Sequence, residues 1–232
     1  MFNTILELTK YRLSLSVIFS SVAGYLIAID YFSIETFLLL FFGGFFLVGA
    51  SNGFNQIIER ERDSIMDRTK NRPIPLGKIS PRSAFIICLI MILSGIVLLY
   101  LINFRTAFFG LISTLIYLFL YTPLKTRTPL CVFFGAISGA IPFMLGWVAA
   151  TNKFGIEPGV LFMIQFFWQF PHFWAIGWLS DDDYKKAGFK MLPTGKKDKS
   201  TAFQIVFYTI WTILVSLIPL SGFSGLLTIS YI

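Results

Sequence analysis

Seven stretches of this 232-residue chain contain no Asp, Glu, Lys or Arg: residues 13–29, 36–58, 83–104, 106–124, 128–152, 158–180 and 200–232. Each can supply the ~17–25 apolar residues with which a helix crosses the ~30 Å hydrocarbon layer of a bilayer. A segment in hydrocarbon must satisfy its own backbone donors and acceptors, so uninterrupted runs of this kind predict helices. A barrel would need short strands of alternating polarity, and runs such as residues 86–102 do not alternate. Composition agrees, with 56% hydrophobic and only 13% charged residues, about half the charge a soluble domain of this length carries. The expected fold is all-α, a polytopic transmembrane helical bundle of seven spans plus the start of an eighth.

The charges that remain are sorted. With the N-terminus inside, the inner segments are 1–12, 59–82, 125–127 and 181–199, and they hold all the basic residues except Arg105 and Lys153. This is the positive-inside pattern. It accounts for the net charge of +7 and the pI near 9.5, so nucleic-acid binding is not needed to explain them. The outer loops, near residues 30–35, 103–105 and 151–157, are short. Two inner loops are long and carry most of the polar chemistry, and connections of that length in a minimal bundle are usually functional. Nothing at the N-terminus resembles a cleaved signal or a transit peptide. A bacterial cytoplasmic (inner) membrane fits best, with the N-terminus and the polar loops cytoplasmic. Cys88 and Cys131 lie inside apolar runs and read as small buried hydrophobes rather than a disulfide or metal pair.

Residues 1–232 read as one domain. The uncharged stretch 200–232 is too long for one crossing. Pro219, Ser221 and Gly222 suit an outer turn, after which residues 223–232 resemble half of an eighth helix without a polar cap. That ending is what a C-terminally truncated chain would show. In the fifth stretch Gly135, Ser138, Gly139, Pro142 and Gly146 suggest a face of small residues for close helix packing.

Asn55, Glu59, Asp63 and Asp67 are spaced by four at the inner end of the second stretch. On a helix each step of four advances about 40°, so the first three make one polar stripe where the bundle meets water. Carboxylates gathered on one face repel unless a cation lies between them. Mg²⁺ suits oxygen ligands, typically one or two carboxylates completed by substrate phosphates. Arg60, Arg62, Arg68, Lys70 and Arg72 supply diphosphate-binding charge alongside, and Pro73 and Pro75 are expected to stop any helix and hold the loop extended. A solvated inner loop of mixed charge is the plainer reading of such a run. Against it stands a second acidic cluster, Asp181-Asp182-Asp183-Tyr184-Lys185-Lys186, on the same side of the membrane. Two acidic clusters facing across one mouth is an arrangement suited to ionising a diphosphate.

Several motifs then agree in order along the chain. Asn55-x₃-Glu59-x₃-Asp63 resembles the N-x₃-D-x₃-D signature of the UbiA superfamily of intramembrane prenyltransferases. Within that superfamily, Met66-Asp-Arg-Thr-Lys-Asn-Arg-Pro73 resembles the M-[ED]-R-T-x-x-R-P segment of its haem-farnesylating branch, the haem O synthases. Tyr121-Thr-Pro-Leu-Lys-Thr-Arg-Thr128 and Trp168-Gln-Phe-Pro-His172-Phe-Trp174 agree with the same branch, as do Ala187-Gly188 and Met191-Leu-Pro193. The sequence departs from the pattern at Glu59, where an aspartate is usual, and in having three consecutive aspartates at 181–183. The family has about nine spans, more than this chain can supply.

The resemblance implies an enzyme that moves the farnesyl group of farnesyl diphosphate to a vinyl group of haem B, in membrane lipid, with Mg²⁺ as cofactor. It implies catalytic roles for Asn55, Glu59, Asp63, Asp182 and Asp183, and metal ligation by Glu59, Asp63, Asp67, Asp182 and Asp183. Diphosphate would be bound by Arg68, Lys70, Arg72, Lys125, Arg127 and Lys186. His172 and Tyr121 are haem candidates. For His172, the sequence's only histidine, axial ligation and a buried histidine bonded to a neighbouring helix both remain open; for Tyr121 the ordinary interfacial tyrosine is the alternative. Haem A synthase or terminal oxidase assembly factors are implied as partners. The rival acceptor is an aromatic quinone precursor, and the rival outside enzymes is a transporter. Transporters usually place ionisable groups near the midplane, whereas here only His172 lies there.

Overall fold

In the computed structural model of the chain, residues 1–221 are described, and they contain helices and turns but no strand. The uncharged stretches become the long helices. These are α2 (Tyr11–Ala28), α3 (Ile34–Ile58), α5 (Pro81–Ile102), α6 (Phe104–Leu115) with its continuation to Leu124, α8 (Cys131–Thr151), α9 (Ile156–Leu179) and α11 (Lys199–Ser216). Short helices complete the order: α1 (Phe2–Leu8), α4 (Arg60–Asp63), α7 (Thr122–Leu124) and α10 (Asp181–Lys186).

Five of the long segments, α2, α3, α5, 104–124 and α8, combine the length and hydropathy of a membrane crossing. α9 and α11 are long enough but less apolar, because α9 carries Gln165, Gln169 and His172, and α11 begins at Lys199 and carries Gln204. The expected half-helix at 223–232 lies outside the described residues; before it, a 3₁₀ turn at Ile218–Ser221 occupies the place expected of an outer turn. Along α5 the side chains of Ile86, Ile90, Leu93, Val97 and Leu101 are all exposed, an apolar face too continuous for water and suited to lipid. The chain is a multi-pass membrane protein.

Local chemistry sets the helix starts. Ser33, Ser80, Asn103 and Asp198 each accept a hydrogen bond from the backbone N–H three residues on, at 3.2, 3.0, 2.8 and 2.8 Å, satisfying a donor that the first turn leaves unpaired. Pro81 occupies the first position of α5, where a missing N–H is harmless. α8 is the central rod, packed against α2, α6 and α9, while α3 packs on α5 and α2. At the α2–α8 crossing the helices meet through glycine: a Cβ at Gly146 would collide with the Ser21 carbonyl, and one at Gly24 with that of Phe143. The small-residue face therefore does pack helices. Cys88 and Cys131 are buried and unbridged.

The polar loops gather at one end of the bundle. Loop 64–80 is not extended as its two prolines suggested. It coils through successive turns, closed by bonds such as Arg72 N–H to Thr69 O (3.0 Å) and Lys78 N–H to Pro73 O (2.9 Å). Proline blocks a helix but suits turns, and buried Met66, Thr69, Pro73 and Ile74 draw this loop back onto the bundle.

Candidate active site

The polar end opens into a cavity of about 680 Å³ that runs down between α2, α3, the 104–124 helix, α8 and α9. Its head is polar, lined by Lys10, Asn52, Asn55, Glu59, Asp63, Arg68, Arg72 and Lys125. Deeper, the wall turns apolar and aromatic, with Leu47, Leu99, Tyr117, Ile141, Leu145, Trp168 and Phe173.

The stripe of four-residue spacing survives the end of α3. Glu59 N–H bonds to Asn55 O at 2.9 Å and Asp63 N–H to Glu59 O at 2.8 Å, so the helical repeat continues through α4 and three side chains share one face. All three are buried. Asp67 does not follow, because the chain has already turned away; its exposed carboxylate pairs with Lys70 and Lys186, each at 2.7 Å. The Lys186 and Lys70 ammoniums hold the Asp67 carboxyl down at about 2.

Each buried carboxylate of the stripe has one cationic partner. Arg72 Nη1 donates to both Asp63 oxygens at 2.7 Å, and Lys125 Nζ to Glu59 at 2.9 Å. Burial is the largest influence on the Lys125 charge and opposes it, but Glu59 together with Tyr117 and Tyr184 outweighs it and holds that pKa above its usual value. The Lys125 ammonium also lies 4.5 Å above the Tyr121 ring, a cation–π contact. Lys10 donates to the Asn55 amide oxygen at 3.2 Å. Burial, and then the charges of Arg72 and Lys125, bring its pKa down to about 7.

Asp183 stands at the rim and grips the neighbouring loop. Its oxygens accept the N–H groups of Asp67 at 3.2 Å and Arg68 at 3.1 Å, which, with the Arg68 bond foremost, lower its pKa. Arg68 itself reaches into the cavity and donates to the Tyr184 hydroxyl at 3.2 Å.

The cavity thus collects Asn55, Glu59, Asp63, Arg68, Arg72, Lys125, Tyr121 and His172 from the residues singled out in the sequence. It does not collect Asp67, Lys70, Arg127, Asp182, Asp183 or Lys186, which stay outside its lining. The five acids expected to bind metal do not form one cluster. Among the described residues no group of three or more His, Cys, Asp or Glu is placed to hold a metal ion. What the cavity offers is two carboxylates, Glu59 and Asp63, a donor set suited to a hard cation that takes its other ligands from substrate oxygens.

His172 is not the buried, helix-bonded histidine of one sequence reading. Its ring is exposed on the cavity wall and stacks on Trp168, with centroids 4.4 Å apart and planes at 16°. Tyr121 is buried rather than interfacial. It closes a π-helical turn, Ile116–Tyr121, that puts Tyr117 and Tyr121 on the cavity side with ring centroids 5.2 Å apart. Such turns recur at functional sites. Sequence reasoning missed Lys10, Asn52, Tyr117, Gln165 and Gln169 as lining residues. Asn52 and Gln56 did carry a signal, since two amides flanking the stripe inside an uncharged stretch need partners.

The chain belongs to the UbiA prenyltransferase family, whose pattern it matches over residues 17–232. It is 62% identical over 224 residues to a protoheme IX farnesyltransferase of Christiangramia forsetii, covering 97% of this chain and 75% of that one. Over 227 residues it is 60% identical to a protoheme IX farnesyltransferase of Flavobacterium psychrophilum, covering 97% and 76%. Among solved structures it resembles a digeranylgeranylglyceryl phosphate synthase, with a TM-score of 0.78 and 26% identity over 94% of this chain and 77% of that one. A UbiA homologue of Archaeoglobus fulgidus, solved with GPP and Mg²⁺, shares the fold at a TM-score of 0.76 and 16% identity, over 91% and 76%.

Proposed function

We propose that this chain is a protoheme IX farnesyltransferase, moving the farnesyl group of farnesyl diphosphate to a vinyl group of haem B to give haem O. The observation that carries the reading is the division of one cavity into a charged head and an apolar, aromatic body. The names of the relatives more than half identical to it support haem as acceptor.

At the head, Arg72, Lys125 and Arg68 offset the diphosphate charge and stabilise pyrophosphate as the allylic C–O bond breaks. Mg²⁺, held by Glu59 and Asp63 together with diphosphate oxygens, would supply further charge neutralisation there. With the ion held there, Lys125 and Arg72, which now pair with Glu59 and Asp63, would be free to bind the phosphates. Asp183 holds the 67–68 backbone so that Arg68 points inward, and Asp182, exposed beside it, adds negative charge at the rim.

Tyr117, Tyr121 and Phe173 line the place where the allylic cation forms, with π-faces that favour positive charge. The vinyl carbon attacks that cation, and water adds to the carbocation left on the haem side chain with loss of a proton, giving a hydroxyethylfarnesyl group. The apolar body keeps water from capturing the allylic cation first. His172 faces the acceptor and offers a ring nitrogen to its iron. The reaction takes place in a bacterial inner membrane with the charged head on the cytoplasmic side, the orientation the basic loops favour.

The test is to mix detergent-solubilised protein with haem B, farnesyl diphosphate and Mg²⁺ and look for farnesylated haem by mass spectrometry. Product formation by the wild type is the expected outcome. Pyrophosphate release without modified haem would replace the acceptor, and neither product would reject the enzyme reading.

A further inference from the structure

Four cationic side chains line the head of the cavity, and only two meet a carboxylate there. Arg72 is matched by Asp63 and Lys125 by Glu59, whereas Arg68 reaches a phenol and Lys10 an amide oxygen. Among the described residues Lys10 has no carboxylate partner. It is absent from the acidic stripe, from loop 64–80 and from every motif that marked the site in the sequence.

Its position is built rather than incidental. Lys10 adopts a left-handed backbone, φ 46° and ψ 54°, a conformation a long L side chain rarely takes. Asn152 is the only other non-glycine residue with positive φ among the described residues, and asparagine tolerates that region far better. The left-handed residue makes an elbow between α1 and α2, and two amides of α3 hold the elbow in place. Gln56 Nε2 donates to the carbonyls of Glu7 (3.1 Å) and Leu8 (2.8 Å). Asn52 Nδ2 donates to Ser14 Oγ (3.2 Å) and the Thr9 carbonyl (3.5 Å). Asn55, on the same helix between these two, receives the Lys10 ammonium. Backbone strain that is held this firmly by its surroundings marks a functional position.

We infer that Lys10 is a substrate-binding residue whose ammonium, aimed by the α1–α2 elbow, takes an oxygen of the diphosphate. The inference rests on the reading of this cavity as a prenyl diphosphate site. An anion with several charges is the ligand that answers a head with two more cations than carboxylates. A haem propionate presents similar anionic oxygen, and binding measured separately for each substrate distinguishes the two.

Inorganic pyrophosphate in magnesium buffer is the probe for the donor, and a Soret titration with haem B reports on the acceptor. Both are read on purified wild type, Lys10→Met, Lys10→Gln and Lys10→Arg, with thermal unfolding checked for each. Lys10→Met and Lys10→Gln are expected to weaken pyrophosphate binding about tenfold, the weight of one charge-assisted bond. Lys10→Arg should stay within about threefold of wild type, and haem binding should not move. Unchanged pyrophosphate binding in a folded Lys10→Gln protein overturns the inference, and a loss confined to haem overturns it in favour of a propionate. If the wild type itself does not bind pyrophosphate, the underlying prenyl diphosphate reading fails instead.

Discussion

Arg72 holds Asp63 with one guanidinium nitrogen equidistant, at 2.7 Å, from both carboxylate oxygens, and Asp63 has no exposed surface. A buried carboxylate gripped this way is stable only while its partner stays, and it is this pair that a divalent cation and a diphosphate would divide, the cation taking Asp63 and the diphosphate Arg72. Asp63→Asn should therefore lower haem farnesylation by on the order of 10²-fold or more, measured as product per minute by mass spectrometry. An Asn variant with activity near wild type would remove Asp63 from the chemistry.

The Glu59–Lys125 pair crosses from the end of α3 to the segment after α7 and is almost wholly buried, at 4% and 10% side-chain exposure. Removing one partner leaves an uncompensated charge, so Glu59→Gln or Lys125→Met alone should destabilise the protein by about 3 kcal/mol. The double variant should recover part of that loss. Thermal unfolding in detergent reads this as a double-mutant cycle, and strictly additive losses would show that the pair is not coupled.

The grip of Asp183 on the 67–68 backbone should depend on pH. Its carboxyl titrates below the ordinary value because it accepts the Arg68 and Asp67 N–H groups, and the neighbouring Asp67 titrates at about 2. A carboxylate depressed on folding contributes stability above its unfolded pKa, about 4, and loses it as the pH falls through the folded value. The clamp is thus intact at neutral pH and opens on acidification from about 4 downward. Hydrogen exchange at the Asp67 and Arg68 amides is the readout. Asp183→Asn should speed it at pH 7, and unaltered protection there would mean the clamp is not what orders the loop.

At the α2–α8 crossing, Gly146→Ala places a methyl group against the Ser21 carbonyl. Backbone cannot yield as a side chain can, so a loss of about 1–3 kcal/mol is expected. Gly159→Ala is the control: it lies in α9 with nothing within 4 Å of an added Cβ, and alanine suits a helix better than glycine. Equal effects at the two positions would contradict the close approach.

His172→Phe should keep the stack on Trp168 and remove the ring nitrogens. The expected result is a changed Soret spectrum of bound haem with pyrophosphate affinity intact. A spectrum identical to wild type would leave His172 a wall residue.

Much of this architecture was readable in advance because hydrocarbon admits so few solutions. A charge-free interval had to be a helix, and those at 36–58 and 158–180 became α3 (Ile34–Ile58) and α9 (Ile156–Leu179). The stripe through Asn55, Glu59 and Asp63 was legible because four-residue spacing has one meaning on a helix. Its fourth member was not, since Asp67 depends on where the helix stops, and that is decided by the burial of Met66, Thr69 and Ile74. The coiling of loop 64–80, the π-turn at Tyr117 and Tyr121, and the open face of His172 likewise depend on what neighbouring segments leave unfilled. Lys10 escaped because a basic residue beside Arg12 at the start of a span looks like an interfacial anchor.

The bolting of α1 to α3 through Gln56 and Asn52 has a practical side for anyone handling this protein. An affinity tag fused directly to Met1, or a trimmed N-terminus, would tug on the elbow that aims Lys10 and could dull the enzyme without unfolding it. A tag set in the loop at Lys153, between α8 and α9, sits at the opposite end of the bundle from the cavity head and leaves that elbow alone.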